Sequence, residues 1–305
     1  MTKRDFLSLH DLSLVEARQV LALAKTLKHE PKGSRPQALA GRTVAIVMEK
    51  ASTRTRVSFE VGVAQLGGHP VVLTTQGSQL ARGEPIGDTA RVLSRYCDAI
   101  VFRTFETSRL MGMAKGASVP VVNALSDDGH PVQVLCDIFT IEEALGRSIE
   151  GSQIAWVGDG SSNMARSFLE AAELFGFHLR IASPDGYFPP VHEMERATHN
   201  ASASFSTDAA TAVRDADVVN TDVWTSMGQE DENEKRVKAF AGWTVTTEMM
   251  SHAKPNAIVL HCLPAHRGEE IADDVIEGPA SRVWDQAENR LHVQKALLAF
   301  LMGIA

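Results

Sequence analysis

The stretch TVAIVMEKASTRTRVSFEVGVAQLGG, residues 43–68, carries the clearest structural signal in the chain. Its first six residues are an apolar run of the length typical of a buried strand. Ser52 then stands where a helix would begin, because serine is a favoured N-cap, and Gly67 and Gly68 are typical of a helix end. The stretch therefore predicts a strand over 43–48 that leads directly into a helix over 53–66.

Apolar runs and longer helical patterns keep alternating through the first half of the chain. Strands are predicted over residues 43–48, 70–74, 98–103 and 119–123, and helices over residues 12–27, 53–66, 86–96, 106–116 and 132–145. Strands that alternate with helices in this way are typical of a parallel sheet covered by helices.

The polar segment GRSIEGSQ, residues 146–153, interrupts this pattern, which then restarts. Further strands are predicted over residues 154–158, 178–183, 216–221 and 257–261, and a closing amphipathic helix carries Leu291, Leu297, Leu298 and Leu301. We expect two doubly wound parallel-sheet α/β domains with a cleft between them. The domains are predicted over residues 1–146 and 147–286, and the C-terminal helix of residues 287–305 is expected to return to the first domain.

Composition and charge exclude several classes of protein. The formal net charge of -8 and the pI near 5.8 argue against a nucleic-acid-binding protein, because phosphate backbones are held by basic surfaces. The N-terminus lacks an apolar h-region, and no run approaches the roughly 18 apolar residues of a membrane span. The three cysteines, Cys97, Cys136 and Cys262, have no spacing typical of disulfides or metal sites. These features predict a cytoplasmic protein without a metal site and without contacts to membrane or nucleic acid.

The start of the predicted helix 53–66 collects groups that can bind an anion. Unpaired backbone N–H groups and the helix dipole favour negative charge there. Thr53 and Thr55 add hydroxyl donors, and Arg54 adds a planar guanidinium suited to phosphate. The alternative is a helix start capped by Ser52 whose arginines are solvated. The segment lacks the GxxxxGK[ST] pattern of nucleotide triphosphatases.

Two further elements are expected to bring polar side chains to the same edge of the sheet. Arg103 ends the predicted strand 98–103, and His130 and Gln133 of the sequence HPVQ open the next long helix. Each residue alone is compatible with an ordinary surface position. Together with the STRT sequence they predict a phosphate site, because the carboxyl ends of parallel strands share one edge.

The sequence VGDGSSNMARS raises the alternative of a dinucleotide-binding protein. Gly158 and Gly160 follow a predicted strand, as in the GxGxxG fingerprint, but Asn163 stands where the third glycine belongs. The fingerprint is weak without that glycine. Titration with NAD or ATP would distinguish this alternative.

Five segments resemble the aspartate/ornithine transcarbamoylase family, and most closely its ornithine-specific members. They are EKASTRTRVSFE, SQLARGEPIGDTARVLSRYCDAIVFR, HPVQVLCD, NTDVWTSMGQEDE and HCLPAHRGEE, and the resemblance covers essentially the whole chain. It implies transfer of the carbamoyl group of carbamoyl phosphate to the δ-amine of L-ornithine, giving L-citrulline and phosphate in arginine metabolism. No cofactor is implied.

The resemblance also assigns residues to each substrate. The first domain would bind carbamoyl phosphate through Ser52, Thr53, Arg54, Thr55, Gln79, Arg103, His130 and Gln133. The second domain would add Cys262 and Leu263 to this set, and the C-terminal helix would add Arg290. Ornithine would bind in the second domain, at Asn163, Asp222, Ser226 and Met227. The catalytic residues would be Arg54, Thr55, Arg103, His130 and Cys262.

Within the family, two features favour ornithine as the acceptor. Asp222 would face an ammonium group, and Cys262 would contact the side-chain amine, whereas an aspartate-specific member is expected to carry HPLP in place of HCLP. The family usually has paired asparagines where this chain has Ser162 and Asn163, so the role of the first position is open. The alternatives are a transcarbamoylase for putrescine or N-acetylornithine, and a catalytically silent relative. The resemblance further implies a homotrimer with active sites at subunit interfaces, where Gln79 would reach the neighbouring subunit's site.

Overall fold

The computed structural model describes residues 3–31, 37–75, 83–200, 202–225 and 230–304, and of Glu230 the backbone alone. These residues form two compact units. The first comprises Met1–Cys136 and Glu288–Ala305, and the second comprises Asp137–Ala287.

The first unit is built on a four-stranded parallel sheet with the order β2-β1-β3-β4. Its strands are β1 (Thr43–Met48), β2 (His69–Thr74), β3 (Ala99–Arg103) and β4 (Val121–Leu125). Its helices are α1 (Leu14–His29), α2 (Thr53–Gln65), α3 (Ile86–Tyr96), α4 (Thr107–Gly116) and the start of α5 (Pro131–Leu145). All residues of the central strand β3 are buried, as expected for a parallel strand covered on both faces, and all residues of β4 at the edge of the sheet are buried as well.

The strand-to-helix unit over residues 43–68 forms as predicted. The Ser52 hydroxyl accepts a hydrogen bond from the Thr55 N–H at 3.2 Å and caps α2. The helix ends where Gly67 takes a left-handed φ of +79°. Gly68 is explained by packing, because an added Cβ would lie 2.9 Å from Leu39 Cβ.

The second unit contains a five-stranded parallel sheet with the order β7-β6-β5-β8-β9. Its strands are β5 (Gln153–Val157), β6 (His178–Ala182), β7 (Ala203–Ser206), β8 (Val218–Thr221) and β9 (Ile258–His261). Its further helices are α6 (Asn163–Phe175), α7 (Val191–His199), α8 (Ala209–Val213), α9 (Asn233–Ala239), α10 (Thr247–Met250) and α11 (Asp273–Ile276). The two parallel α/β domains are thereby confirmed, and each predicted strand, and each predicted helix before the last, is correct to within two residues at its ends. The C-terminal helix was predicted over residues 287–305 and begins and ends four residues earlier.

Strand β7 was not predicted. Its sequence, Ala203–Ser206, is short and serine-rich, and Ala203 alone is fully buried. The other edge strands, β2, β4 and β9, carry apolar runs and were predicted, whereas the four residues of β7 include two serines and form no such run.

The last helix, α12 (Val283–Leu301), packs on α2, which confirms the predicted return of the C-terminal helix to the first domain. The close approach occurs at Gly62, where an added Cβ would lie 3.2 Å from the Lys295 side chain and 3.5 Å from that of Leu291. Lys295 Nζ also donates to Gln65 Oε1 at 3.0 Å. This packing carries residues near the end of the sequence to the beginning of α2.

Among the helices formed by the described residues, none is both long and apolar enough to cross a membrane.

Candidate active site

In the first unit, the carboxyl ends of β1 and β3 bring the anion-binding candidates together. Met48, at the end of β1, pairs in register with Arg103, at the end of β3. The chain then turns through Lys50 into the N-terminus of α2. Within this turn the Ser52 hydroxyl donates to Thr55 Oγ1 at 3.1 Å.

The Thr55 hydroxyl lies between two buried guanidinium groups. Arg103 Nη1 lies 3.4 Å from Thr55 Oγ1, and Arg290 Nη2 donates to the same oxygen at 2.9 Å. Arg103 Nε donates to the Lys50 carbonyl at 3.2 Å, and Arg290 Nη1 donates to Gln133 Oε1. Two arginines buried side by side create a strongly positive field in a region of low dielectric constant, which favours an anion.

Arg54 differs from these buried arginines. It stands in the first turn of α2, is half-buried, and has no hydrogen-bond or ion-pair partner among the described residues. Thr53, beside it, is exposed. A guanidinium at a helix N-terminus without a protein carboxylate is suited to a ligand anion.

His130 precedes α5 and is buried. Burial, followed by the positive charges of Arg290, Arg103 and Lys50, lowers the pKa of His130 well below its usual value. Its imidazole is therefore neutral at physiological pH and can donate one N–H group without adding a charge.

This shift predicts a pH-dependent stability. As the pH falls through about 6.5, unfolded chains take up a proton at His130 that the folded protein does not bind. The free energy of unfolding should therefore fall by up to about 1.4 kcal/mol per pH unit from this group, and the loss should end below the lowered folded pKa. Urea unfolding at pH 7.5 and 5.5 measures this difference in the free energy of unfolding. The difference should be smaller in His130→Gln than in wild type, whereas replacing the exposed His10 should leave it unchanged. Equal pH dependence in wild type and His130→Gln would contradict the assignment.

Lys50 was missed by sequence reasoning. It is buried, its Nζ lies 3.7 Å from Asp127 Oδ1, and it stands 5.1 Å from the centre of the Phe105 ring. Lysine is rarely buried, and its position between β1 and the STRT sequence was the available signal. Gln79, predicted to act in the neighbouring subunit's site, lies outside the described residues.

In the second unit, the carboxyl ends of β8 and β9 carry an acid and a thiol. Thr221 pairs in register with His261, so the residues that follow, Asp222 and Cys262, are neighbours. Cys262 Sγ donates to Asp222 Oδ1 at 3.2 Å, and the same oxygen accepts the Val223 N–H at 2.8 Å. Burial raises the pKa of the Asp222 carboxyl group.

A buried histidine fixes the backbone beside Cys262. The Leu263 N–H donates to His261 Nδ1 at 2.9 Å, so His261 carries its proton on Nε2 and donates it to Glu270 Oε1 at 2.9 Å. His261 and Glu270 are fully buried, and Leu263 has a left-handed φ of 63°. His261 and Glu270 belong to the HCLPAHRGEE segment, but the sequence alone indicated no role for them.

The loop that follows β5 carries the third ornithine candidate. Ser162 caps α6, since its hydroxyl accepts the Ala165 N–H at 3.2 Å, and Asn163 is the first helical residue. Ser162 thus has a structural role where the family usually has an asparagine. Gly160 is explained by packing, because an added Cβ would lie 2.8 Å from Ile181 Cγ2. Ser226 and Met227 lie outside the described residues.

Two groups among the described residues have the ligand types that bind metal ions: Asp222, His261 and Cys262, and His266, Glu269 and Glu270. In the first group both ring nitrogens of His261 already take part in hydrogen bonds. A metal would therefore have to displace either the Leu263 N–H or Glu270.

Together, the two sites define a class of protein. One α/β domain offers a buried cationic site for an anion, and the other offers a buried acid beside a thiol for an amine. This combination is typical of an enzyme that transfers a group from an anionic donor to an amine.

Comparison with known proteins is consistent with this class. Residues 4–143 match the carbamoyl phosphate-binding domain of the aspartate/ornithine carbamoyltransferases, and residues 150–301 match their aspartate/ornithine-binding domain. The chain belongs to the aspartate/ornithine carbamoyltransferase family.

Individual relatives are similar over their full length. An ornithine carbamoyltransferase of Sorangium cellulosum is 65% identical over 309 residues, which cover 100% of this chain and 99% of the relative. The ornithine carbamoyltransferase of Pyrococcus furiosus has a similar structure, with a TM-score of 0.93, 49% identity and coverage of 99% of this chain and 98% of that one. The anabolic ornithine carbamoyltransferase of Campylobacter jejuni gives a TM-score of 0.92 at 40% identity, with 99% of each chain covered.

Proposed function

We propose that the chain transfers the carbamoyl group of carbamoyl phosphate to the δ-amine of L-ornithine, giving L-citrulline and phosphate. The observation that carries the choice of acceptor is the contact between Cys262 Sγ and the buried Asp222 at 3.2 Å. A buried carboxylate attracts an ammonium group and repels a second carboxylate, so it favours ornithine over aspartate. Relatives from Sorangium cellulosum and Geobacter sulfurreducens, which match over 100% and 98% of the chain, are ornithine carbamoyltransferases.

Carbamoyl phosphate binds at the N-terminus of α2. The first-turn N–H groups, the hydroxyls of Ser52 and Thr53, and Arg54 hold the phosphate oxygens, and the buried Arg103 adds positive charge. Each hydrogen bond to a charged group contributes about 1.5–3 kcal/mol. Gln133 and Arg290 hold each other and Thr55 in place, so the site is arranged before the ligand arrives.

The carbonyl oxygen of carbamoyl phosphate becomes negative as the amine attacks the carbonyl carbon. Thr55, Arg103 and His130 are the donors for this oxygen. Arg103 and Arg290 both donate to Thr55 Oγ1, which polarises its O–H group as a donor. They need no reorganisation during the reaction, because they are already in position. Loss of one such donor costs about 3–4 kcal/mol of transition-state stabilisation.

Ornithine must attack as a free amine, although its side chain is an ammonium group in water. An amine with a pKa near 10.4 costs about 4–5 kcal/mol to deprotonate at pH 7. Asp222 places this group but also favours its charged form, whereas desolvation favours the neutral form. Burial disfavours the charged form of Asp222 as well, and its pKa is raised for that reason.

The products separate when phosphate leaves from the tetrahedral intermediate. As the bond from carbon to the phosphate oxygen breaks, the attacking nitrogen gives up a proton and the phosphate takes it, so phosphate leaves as a dianion. The positive field of Arg54 and Arg103 stabilises this leaving group, and no covalent bond to the protein is needed. Leu263, held at its φ of 63° by His261, offers its backbone to the carbamoyl group. Catalysis therefore rests on electrostatics and on alignment of the two substrates, which contributes several kcal/mol more.

Cys262→Ala should weaken the use of ornithine and leave the affinity for carbamoyl phosphate unchanged. The variant removes the thiol that orients Asp222, and a hydrogen bond to a charged group is worth about 1.5–3 kcal/mol, or roughly 10- to 150-fold in kcat/KM for ornithine. Steady-state kinetics with each substrate varied in turn measures both effects. Cys97→Ala, which changes a buried cysteine of the first unit, is the control. A loss confined to carbamoyl phosphate would contradict the assignment of Cys262.

A citrulline assay with alternative amines tests the proposed reaction. Carbamoyl transfer should be fastest with ornithine and much slower with putrescine, which lacks the α-carboxylate, and with N-acetylornithine, whose α-amine is blocked. No product with ornithine would overturn the proposal.

Assembly, location and domain roles remain predictions. The proposed trimer would let Gln79 of one subunit complete a neighbouring site. Binding of carbamoyl phosphate is assigned to residues 1–146 and binding of ornithine to residues 147–286, with Asn163 at the α-carboxylate and Ser226 and Met227 in the amino-acid site. The cytoplasmic location is likewise a prediction from the sequence.

A further inference from the structure

Arg236 of α9 makes an unusual set of buried contacts within the second unit. Its Nη1 donates to Asp159 Oδ2 at 2.6 Å and to the Trp224 carbonyl at 3.0 Å. Its Nε donates to Glu232 Oε2 at 3.1 Å, and its guanidinium lies 5.2 Å from the centre of the Tyr187 ring. Arg236 and Asp159 are both buried, with side-chain exposures of 6% and 4%.

One partner of Arg236 shapes the loop that leads to Asn163. Asp159 stands four residues before Asn163, between β5 and α6. Its second oxygen, Oδ1, accepts the Ser161 N–H at 2.9 Å and the Ser161 hydroxyl at 2.6 Å. The Asp159 carboxylate therefore fixes the conformation of this loop through Ser161 and connects the loop to α9 through Arg236.

The other partner of Arg236 lies next to Asp222. Trp224 follows Asp222 by two residues, and its carbonyl is held by Arg236. Its ring stacks on Phe240, the residue after α9, at 5.7 Å and an interplanar angle of 15°. Helix α9 thus holds residue 224 through both its backbone and its side chain.

We infer that Arg236 is a positioning residue that sets the separation between Asn163 and Asp222, and so the length of the diamino acid that the enzyme accepts. The inference rests on the proposed function, in which these two residues take the opposite ends of ornithine. One guanidinium links the two segments that carry them, through Asp159 and through Trp224. A diamino acid with one methylene more, lysine, is therefore a poor fit.

Stability alone does not account for this ion pair. A buried pair of charges is often no more stabilising than apolar residues of the same volume, because both groups lose their hydration. Asp159 and Trp224 follow the carboxyl ends of β5 and β8, and Asp217 already joins these two strands at their opposite ends. Asp217 accepts the Gln153 N–H at 2.9 Å and pairs with Arg147 at 2.9 Å. That second pair provides a matched control without contact to the proposed ornithine residues.

The test uses the double variant Asp159→Asn/Arg236→Gln, which removes both charges and keeps similar shapes. The KM for ornithine should rise roughly ten- to a hundredfold, as expected when a reacting group is misplaced by a fraction of an ångström to one ångström. The KM for carbamoyl phosphate should stay at about the wild-type value. The ratio of kcat/KM for ornithine to kcat/KM for lysine should fall, which a loss of folded protein alone would not change.

Two single variants complete the design. Arg236→Lys keeps a buried charge for Asp159 but lacks the fork that reaches two acceptors, so its KM and its specificity ratio should shift in the same direction by less. It carries the same test if the double variant does not fold. Arg147→Gln should lower the melting temperature and leave the KM for ornithine and the ratio unchanged.

The outcomes separate this inference from the proposed function. If wild-type protein forms no citrulline, the proposed function is wrong. If wild type is active and a folded variant at Arg236 keeps both the wild-type KM for ornithine and the wild-type ratio, the inference is overturned.

Discussion

Arg54→Ala is expected to fold normally and to lose most of its affinity for carbamoyl phosphate. Arg54 has no partner among the described residues, so its removal leaves no buried group unpaired. A guanidinium that makes two charge-assisted hydrogen bonds to phosphate contributes about 3–6 kcal/mol, which corresponds to roughly 10²- to 10⁴-fold in kcat/KM for carbamoyl phosphate. The KM for ornithine should change far less.

The same helix supplies the control for this variant. Arg56 stands two residues further along α2, its side chain is 51% exposed, and it pairs with Glu60 at 3.3 Å. Arg56→Ala removes the same charge from the protein but should leave both substrate affinities near the wild-type values. If Arg54→Ala and Arg56→Ala behaved alike, the anion would not bind at the N-terminus of α2.

Asp222→Asn is expected to have the largest effect on ornithine. The asparagine keeps the shape and can still accept the Val223 N–H, but it lacks the charge that attracts the ammonium group. Loss of one partner of a buried charge pair costs about 2–5 kcal/mol, or roughly 30- to 4,000-fold in kcat/KM for ornithine. Steady-state kinetics with ornithine varied at saturating carbamoyl phosphate measures this loss in kcat/KM.

The stability of this variant should not fall. Because burial raises the pKa of Asp222, ionising this group lowers the free energy of unfolding at neutral pH. This cost is absent at pH values below the pKa that the Asp222 carboxyl group has in the unfolded chain. A neutral asparagine avoids the cost, so urea unfolding at pH 7.5 should show equal or higher stability. Asp217→Asn, which breaks the ion pairs to Arg147 and Lys254 at the other end of β8, should instead be destabilised and keep its use of ornithine. The reverse pattern would contradict the role given to Asp222.

Local signals in the sequence were sufficient for the strand-to-helix unit and its cap. Ser52, the apolar run before it and the glycines after α2 act through contacts a few residues apart, so their patterns can be read directly. The position of Arg103 followed from one further rule, that parallel strands end at the same edge. Strand β7 was not predicted because its four residues, two of them serines, form no apolar run.

Residues that act over long distances along the chain could not be found in this way. Arg290 reaches Thr55 across 235 positions, and Arg236 reaches Asp159 across 77. No local pattern marks either contact, and Arg290 was identified by family resemblance alone. Glu270 was not identified for a related reason. Its role, which is to accept the His261 Nε2 proton, can be recognised only when the hydrogen bonds of His261 are known.

The central claim is that the phosphate of the donor and the amine of the acceptor bind to different residues in different units of the chain. Saturation curves for carbamoyl phosphate and for ornithine, recorded with wild type, Arg54→Ala and Asp222→Asn, test it most directly. Arg54→Ala should shift the carbamoyl phosphate curve, and Asp222→Asn should shift the ornithine curve. If both variants shifted the curve of the same substrate, the division of roles would be wrong.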